Sequence, residues 1–296
     1  MVELKPLEGT EDAYLWKYLP SIPAAAVAIA LFAIPTILLC WKLIKSRTWF
    51  CIPFAIGGIL QVAGYGVRIY CHFNTDQLAP YAVQASFIIL APVFYAASIY
   101  MVLRRLIRSI GGDRFSPVPI RWLTWVFVTG DIVALTIQGN AVGLTTKAST
   151  QKIGEWVITG GLIAHILIFG FFFYVCSIFH YRMNKDLKEN PRNGPHLTVP
   201  WRAGLKMLYS CSALIMVRSI FRVIEYVMGV DAYLLATEWP WYVFDAALMF
   251  ATQVIFVVWF PEHFKIRDDV SKNEGESDDA TLVMEETGSR RGFDNC

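Results

Sequence analysis

The chain has 296 residues, 55% hydrophobic, 15% aromatic and 17% charged, with a mean hydropathy of +0.45. A soluble domain carries nearer a quarter charged residues, so this balance excludes an ordinary soluble fold and points to an integral membrane protein. A net charge of +2 gives no basic face for nucleic acid, and no nucleic-acid partner is expected.

The first residues carry Glu3, Glu8, Glu11 and Asp12 against Lys5. That is the wrong sign for the n-region of a cleaved signal, and residues 1–18 are read as a short extracellular N-terminus. A bilayer core takes about 20 apolar residues as helix. Seven stretches meet this: 19–43, 49–71, 79–103, 121–144, 154–180, 204–228 and 239–261. The fold expected is all-α, a seven-transmembrane helix bundle over 19–261. Pro35, Pro53 and Pro92 fall inside spans, where neighbouring helices satisfy the freed carbonyls. Pro20, Pro240 and Pro261 fall at edges. Small residues such as Gly160 and Ala164 suit close helix packing.

Lys and Arg beside the spans set orientation. Sixteen lie after spans 1, 3, 5 and 7, and four (Lys5, Lys17, Lys147 and Lys152) on the opposite side. The expected topology is N-terminus outside and C-terminus in the cytosol. Tryptophans near span ends, such as Trp41, Trp122, Trp156 and Trp259, fit an interfacial belt. From Asp268 onward nine Asp and Glu accompany three Lys and Arg. Residues 262–296 therefore read as a disordered acidic cytosolic tail. Cys40, Cys51, Cys176 and Cys211 sit in or beside apolar runs and read as buried small hydrophobes. No cysteine pair has zinc-site spacing, and neither a metal nor a cofactor is expected.

A charge in hydrocarbon costs several kcal/mol unless it is paired or faces water. Six such charges fall inside spans: Arg68, Arg218, Arg222, Asp131, Glu225 and Asp245. With the expected orientation most lie in the outer half of the bundle. Arg218, Arg222 and Glu225 stand at i, i+4 and i+7, one helix face. Asp131 and Gln138 share a face of span 4, Gln84 lies near the outer end of span 3, and His165 lies near the middle of span 5. These nine are the candidate substrate-binding residues. Three arginines and three acids make a self-compensated network feasible, with Asp245 or Glu225 as partners of Arg222 and Arg68. Such a network either locks helices together or lines a polar cavity open toward the outer leaflet. His165 reads as a hydrogen-bonded interior histidine or as a group whose titration range suits a proton step.

Five segments occur together: GYGVR at 64–68, ILAPVFYAASIYMVLRRLI at 89–107, TGDIVALTIQGNAVG at 129–143, VRSIFRVIEY followed by MG at 217–229, and EWPWYVFDAALM at 238–249. On these the chain resembles the fungal RTA-like lipid-translocating exporter family over nearly all of residues 20–263. The resemblance implies a seven-span protein that moves or releases amphipathic lipids across the plasma membrane. Long-chain bases, sterol analogues and porphyrins are the implied cargo, and resistance to toxic amphiphiles the implied result. The chain departs from the family pattern at Gln61, where an acid is common, and at His165, where Gln is common. It departs again at Asn140 and Ala141 in the glycine-rich run, and at Phe260 before Pro261. Gln61, Asn140 and His165 are expected to face the interior.

Two other classes compete. A seven-helix lipid-sensing receptor or regulator shares the topology. Span 3 ends in Tyr100, Met101, Val102, Leu103 and Arg104, without the acidic-Arg-aromatic triplet of rhodopsin-type receptors. An intramembrane zinc hydrolase needs about three His or carboxylate ligands around one metal, and His165 is the one deep histidine. No G-x-x-x-x-G-K-[ST] phosphate loop is present, which argues against direct ATP use.

Overall fold

The computed structural model describes residues 20–145, 151–189, 201–228 and 239–261. They form an all-α bundle of seven helices: α1 Ile22–Ser46, α2 Ile52–Phe73, α3 Leu78–Ser109, α4 Ile120–Thr145, α5 Gln151–Glu189, α6 Trp201–Val227, and α7 over 239–258. Five are long and apolar enough to cross a membrane, and α4 and α7 carry shorter apolar stretches, Thr124–Ile137 and Tyr242–Val258. The expected N-terminal segment and acidic tail lie outside the described residues.

Each helix begins and ends for local reasons. Ser21 caps α1, its Oγ accepting from Ala24 N–H at 3.4 Å. Arg47 closes that helix in the left-handed region at φ 51, and a short 3-10 turn, Trp49–Cys51, leads into α2. Pro53 lies inside the second span, as expected, in the first turn of α2. There its missing N–H removes no helical bond. Pro35 and Pro92 lie within α1 and α3.

Consecutive helices pack against one another, α1 closes the ring against α7, and α3 also touches α6. The middle of the bundle is therefore α3, whose Tyr95, Ala96, Ile99, Tyr100, Leu103 and Leu106 are fully buried. Apolar side chains such as Ile37, Trp41, Trp156 and Leu167 are exposed on the outside. That is the inverse of a soluble protein and matches a surface solvated by lipid.

Glycines set the closest approaches. A Cβ on Gly57 of α2 would meet Tyr95 at 2.7 Å and the Ala91 carbonyl at 2.8 Å, so α2 and α3 touch nearly backbone to backbone. A Cβ on Gly58 would strike Thr36 and Gln253, whose side chains hydrogen-bond at 2.7 Å and tie α1 to α7. Gly160 is exposed, and a Cβ there would meet nothing within 4 Å among the described residues. The cysteines behave as small hydrophobes: Cys51, Cys71, Cys176 and Cys211 are buried and unbridged.

Candidate functional site

At one end of the bundle α2 and α6 finish and α7 begins. The face of α6 that carries Arg218, Arg222 and Glu225 turns inward onto α7. Arg222 donates from Nη1 to Glu225 Oε2 and from Nη2 to Asp245 Oδ2, each at 2.9 Å. The Nε of Arg218 pairs with the other oxygen, Asp245 Oδ1. Asp245 is 1% exposed, and each of its oxygens faces a guanidinium. It is delivered by a π-helical segment, Tyr242–Ala247. Such widened turns are rare and recur at functional sites because they re-aim side chains.

Arg68, also 1% exposed, reaches the same place from α2. Its guanidinium lies 4.3 Å from the ring centroid of Trp241 and 5.6 Å from that of Tyr242, a desolvated cation–π arrangement. Tyr65, one turn earlier on α2, stacks on Tyr242 and Phe32. It lies within electrostatic reach of Asp245, Arg68 and Arg222. Five of the expected residues, Arg68, Arg218, Arg222, Glu225 and Asp245, thus form one buried constellation across α2, α6 and α7.

Asp131 is not part of it, which corrects the expectation of a single network of three arginines and three acids. It sits mid-way along α4 and faces α3 and α5 instead. Tyr100 donates to Asp131 Oδ2 at 2.9 Å, and His165 Nδ1 lies 3.2 Å from Asp131 Oδ1. Helix rotation decides this: among the described residues α4 packs chiefly on α5 and α3. Gln84 is buried on α3, and its Oε1 has no hydrogen-bond partner among the described residues. Gln61, one of the departures from the family pattern, is likewise buried in α2 with Oε1 unpartnered among those residues. The Gln138 and Asn140 side chains, and Glu238, lie outside the described residues.

A hollow of about 310 Å³ runs along the outer side of the α4–α5 seam, lined by Trp125, Gly130, Val133, Ala134, Ala164 and Ile168 among others. It is almost wholly apolar, and none of the arginines lines it. Sequence reasoning passed over Tyr65, Tyr100, Trp241 and Tyr242. The available signal was phenolic oxygens deep inside apolar spans, since a buried tyrosine hydroxyl normally finds a polar partner.

A seven-helix bundle with an apolar exterior and ion-paired groups in its interior defines a polytopic membrane protein with a built polar site. The chain belongs to the RTA1-like protein family, which it matches over residues 54–267. It is 32% identical to Protein RTA1 of Saccharomyces cerevisiae, over 71% of this chain and 65% of that relative. It is 32% identical to Protoporphyrin uptake protein 1 of the same yeast, over 70% of this chain and 67% of the relative. It is 26% identical to the Sphingoid long-chain base transporter RSB1 of Saccharomyces cerevisiae, over 74% of this chain and 66% of the relative. The matched region spans about two thirds of the length of these relatives. No solved structure shows a significant match.

Proposed function

We propose that the protein translocates amphipathic lipids across the plasma membrane, with single-tailed long-chain bases as the first candidate cargo. The observation that carries this is the bridge from Arg222 to Glu225 and Asp245, an ionic constellation held inside a bundle whose exterior is apolar. Intramembrane ionisable groups are functional by default, and two relatives are named for the transport or uptake of amphiphiles.

In this reading Glu225 receives a cationic head group. Arg222 bonds one of its oxygens, whereas Asp245 is committed to two guanidiniums. The tail of the cargo stays in hydrocarbon, passing between helices. Gln84, buried with Oε1 unpartnered among the described residues, belongs to the same path as a neutral polar group.

A porphyrin is the second reading, favoured by the relative named for protoporphyrin uptake. Arg68, Arg218 and Arg222 suit its propionates, because guanidiniums bind carboxylates in a planar fork. Purified protein in liposomes decides among these. Movement of a fluorescent long-chain base without any partner protein, lost in Glu225→Gln at equal protein content, is the expected result. Movement of porphyrin alone selects the second cargo. Movement of neither, with folded protein present, leaves a receptor or regulator and ends the carrier reading.

A further inference from the structure

The two polar clusters differ in the kind of partner given to the acid. Asp245 and Glu225 face guanidiniums, which hold their charge at any accessible pH. The ion-pair partner of Asp131 is a histidine, whose charge depends on a proton. Tyr100, His165 and Asp131 come from three helices, α3, α5 and α4, and all are buried. Their surroundings are aromatic: the Tyr100 ring lies 5.1 Å from Phe127 and 4.7 Å from Phe172, and the His165 ring lies 5.9 Å from Phe169.

We propose that Asp131, His165 and Tyr100 form a proton-binding site in the middle of the bundle, and that loading and unloading this proton is coupled to movement of the amphiphile. In apolar surroundings the pair is favoured when its net charge is zero, since an uncompensated buried charge is expensive. Zero net charge requires one proton shared between carboxylate and imidazole, with the Tyr100 hydroxyl completing the carboxylate. Release to water on one side leaves a carboxylate and a neutral imidazole. Uptake from water on the other side restores the pair, and no bond other than O–H or N–H is made or broken.

The groups facing Asp131 are Tyr100 from α3 and His165 from α5, with Cys176 of α5 beyond Tyr100. Among the described residues α4 itself adds no second titratable side chain there. The site lies beside the contact of α4 with α5, where a Cβ on Gly130 would meet the end of the Ile168 side chain at 2.9 Å. A change in the Asp131–His165 contact therefore acts where α4 meets α5. For a cationic base, exchange of one cargo molecule for one proton moves no net charge.

The coupling rests on the carrier reading, whereas the proton site does not, and the test separates them. Liposomes holding the protein receive a fluorescent long-chain base methylated to a quaternary ammonium, which carries no exchangeable proton of its own, with a pH gradient imposed at clamped membrane potential. One-for-one exchange predicts an accumulation ratio of about tenfold per pH unit. In Asp131→Asn or His165→Gln the ratio falls to about one, equal to that without a gradient. Accumulation by wild type that ignores the gradient overturns the coupling. If no base moves in any arm, the carrier reading fails, and the site is judged by nitrogen NMR of the histidine rings in detergent. The ring signal absent from His165→Gln is then expected to respond to pH and to change that response in Asp131→Asn. A response indifferent to Asp131→Asn, with the variant monodisperse, overturns the site. Should Asp131→Asn not fold, Tyr100→Phe replaces it in both arms.

Discussion

The acids of the α6–α7 constellation are unequal, and the inequality is testable residue by residue. Asp245 compensates both Arg218 and Arg222. Asp245→Asn takes from buried Arg218 the carboxylate it pairs with and leaves Arg222 with Glu225, and breaking a buried pair in this way costs about 3–5 kcal/mol. Glu225→Gln leaves Arg222 still bonded to Asp245, so its cost is nearer that of one charge-assisted hydrogen bond, about 1.5–3 kcal/mol. Thermal unfolding in detergent is expected to rank wild type above Glu225→Gln above Asp245→Asn. The reverse order would mean that the pairing with Arg218 contributes nothing. Loss of transport is therefore informative about cargo contact in Glu225→Gln, and confounded with instability in Asp245→Asn. At this scale the sequence showed the i, i+4, i+7 face of Arg218, Arg222 and Glu225, because α-helical spacing alone places them together. It did not show that Asp131 belongs elsewhere. Nothing in a linear pattern reports which neighbour a helix face meets.

Among the helices, the spans were legible because hydrocarbon length sets helix length, and the seven apolar runs map onto α1–α7. Where two helices come closest was not legible. A Cβ on Gly160 would meet nothing within 4 Å among the described residues, while one on Gly57 would meet Tyr95 and the Ala91 carbonyl. Both are helical glycines, and the partner surface decides between them. Nor did any motif announce the π-helical segment that carries Asp245, since a single widened turn leaves no periodic trace. A paired substitution tests the packing account. Gly57→Ala is expected to destabilise the protein by about 1–3 kcal/mol, the usual range for overpacking, because the backbone oxygen of Ala91 has no rotamer to escape into. Gly66→Ala meets nothing within 4 Å, so the helix propensity of alanine stabilises it by up to about 1 kcal/mol. Unfolding midpoints of opposite sign confirm the close approach of α2 to α3, and equal midpoints dismiss it.

For the whole molecule, charge and architecture make one joint statement about sidedness. The ionic constellation lies where α2 and α6 end and α7 begins. The basic residues flank the opposite ends: Lys42 and Lys45 close α1, Arg104, Arg105 and Arg108 close α3, and Arg202 and Lys206 open α6. The positive-inside rule predicts that those ends face the cytosol, which would put the constellation in the outer half and the Asp131–His165 site deeper in the bundle. A cytosolic amphiphile then meets the proton site before the arginines. Impermeant maleimide on intact cells tests this arrangement. Asp76→Cys, in the α2–α3 loop, is expected to label from outside without permeabilisation. Ser116→Cys, in the α3–α4 loop, is expected to label only after it. The native thiols at Cys51, Cys71, Cys176 and Cys211 are buried, and Cys40 and Cys296 are replaced by serine so that the introduced thiol alone is read. Labelling in the opposite sense would turn the molecule over, place the constellation on the cytosolic side, and make uptake rather than export the direction its geometry serves.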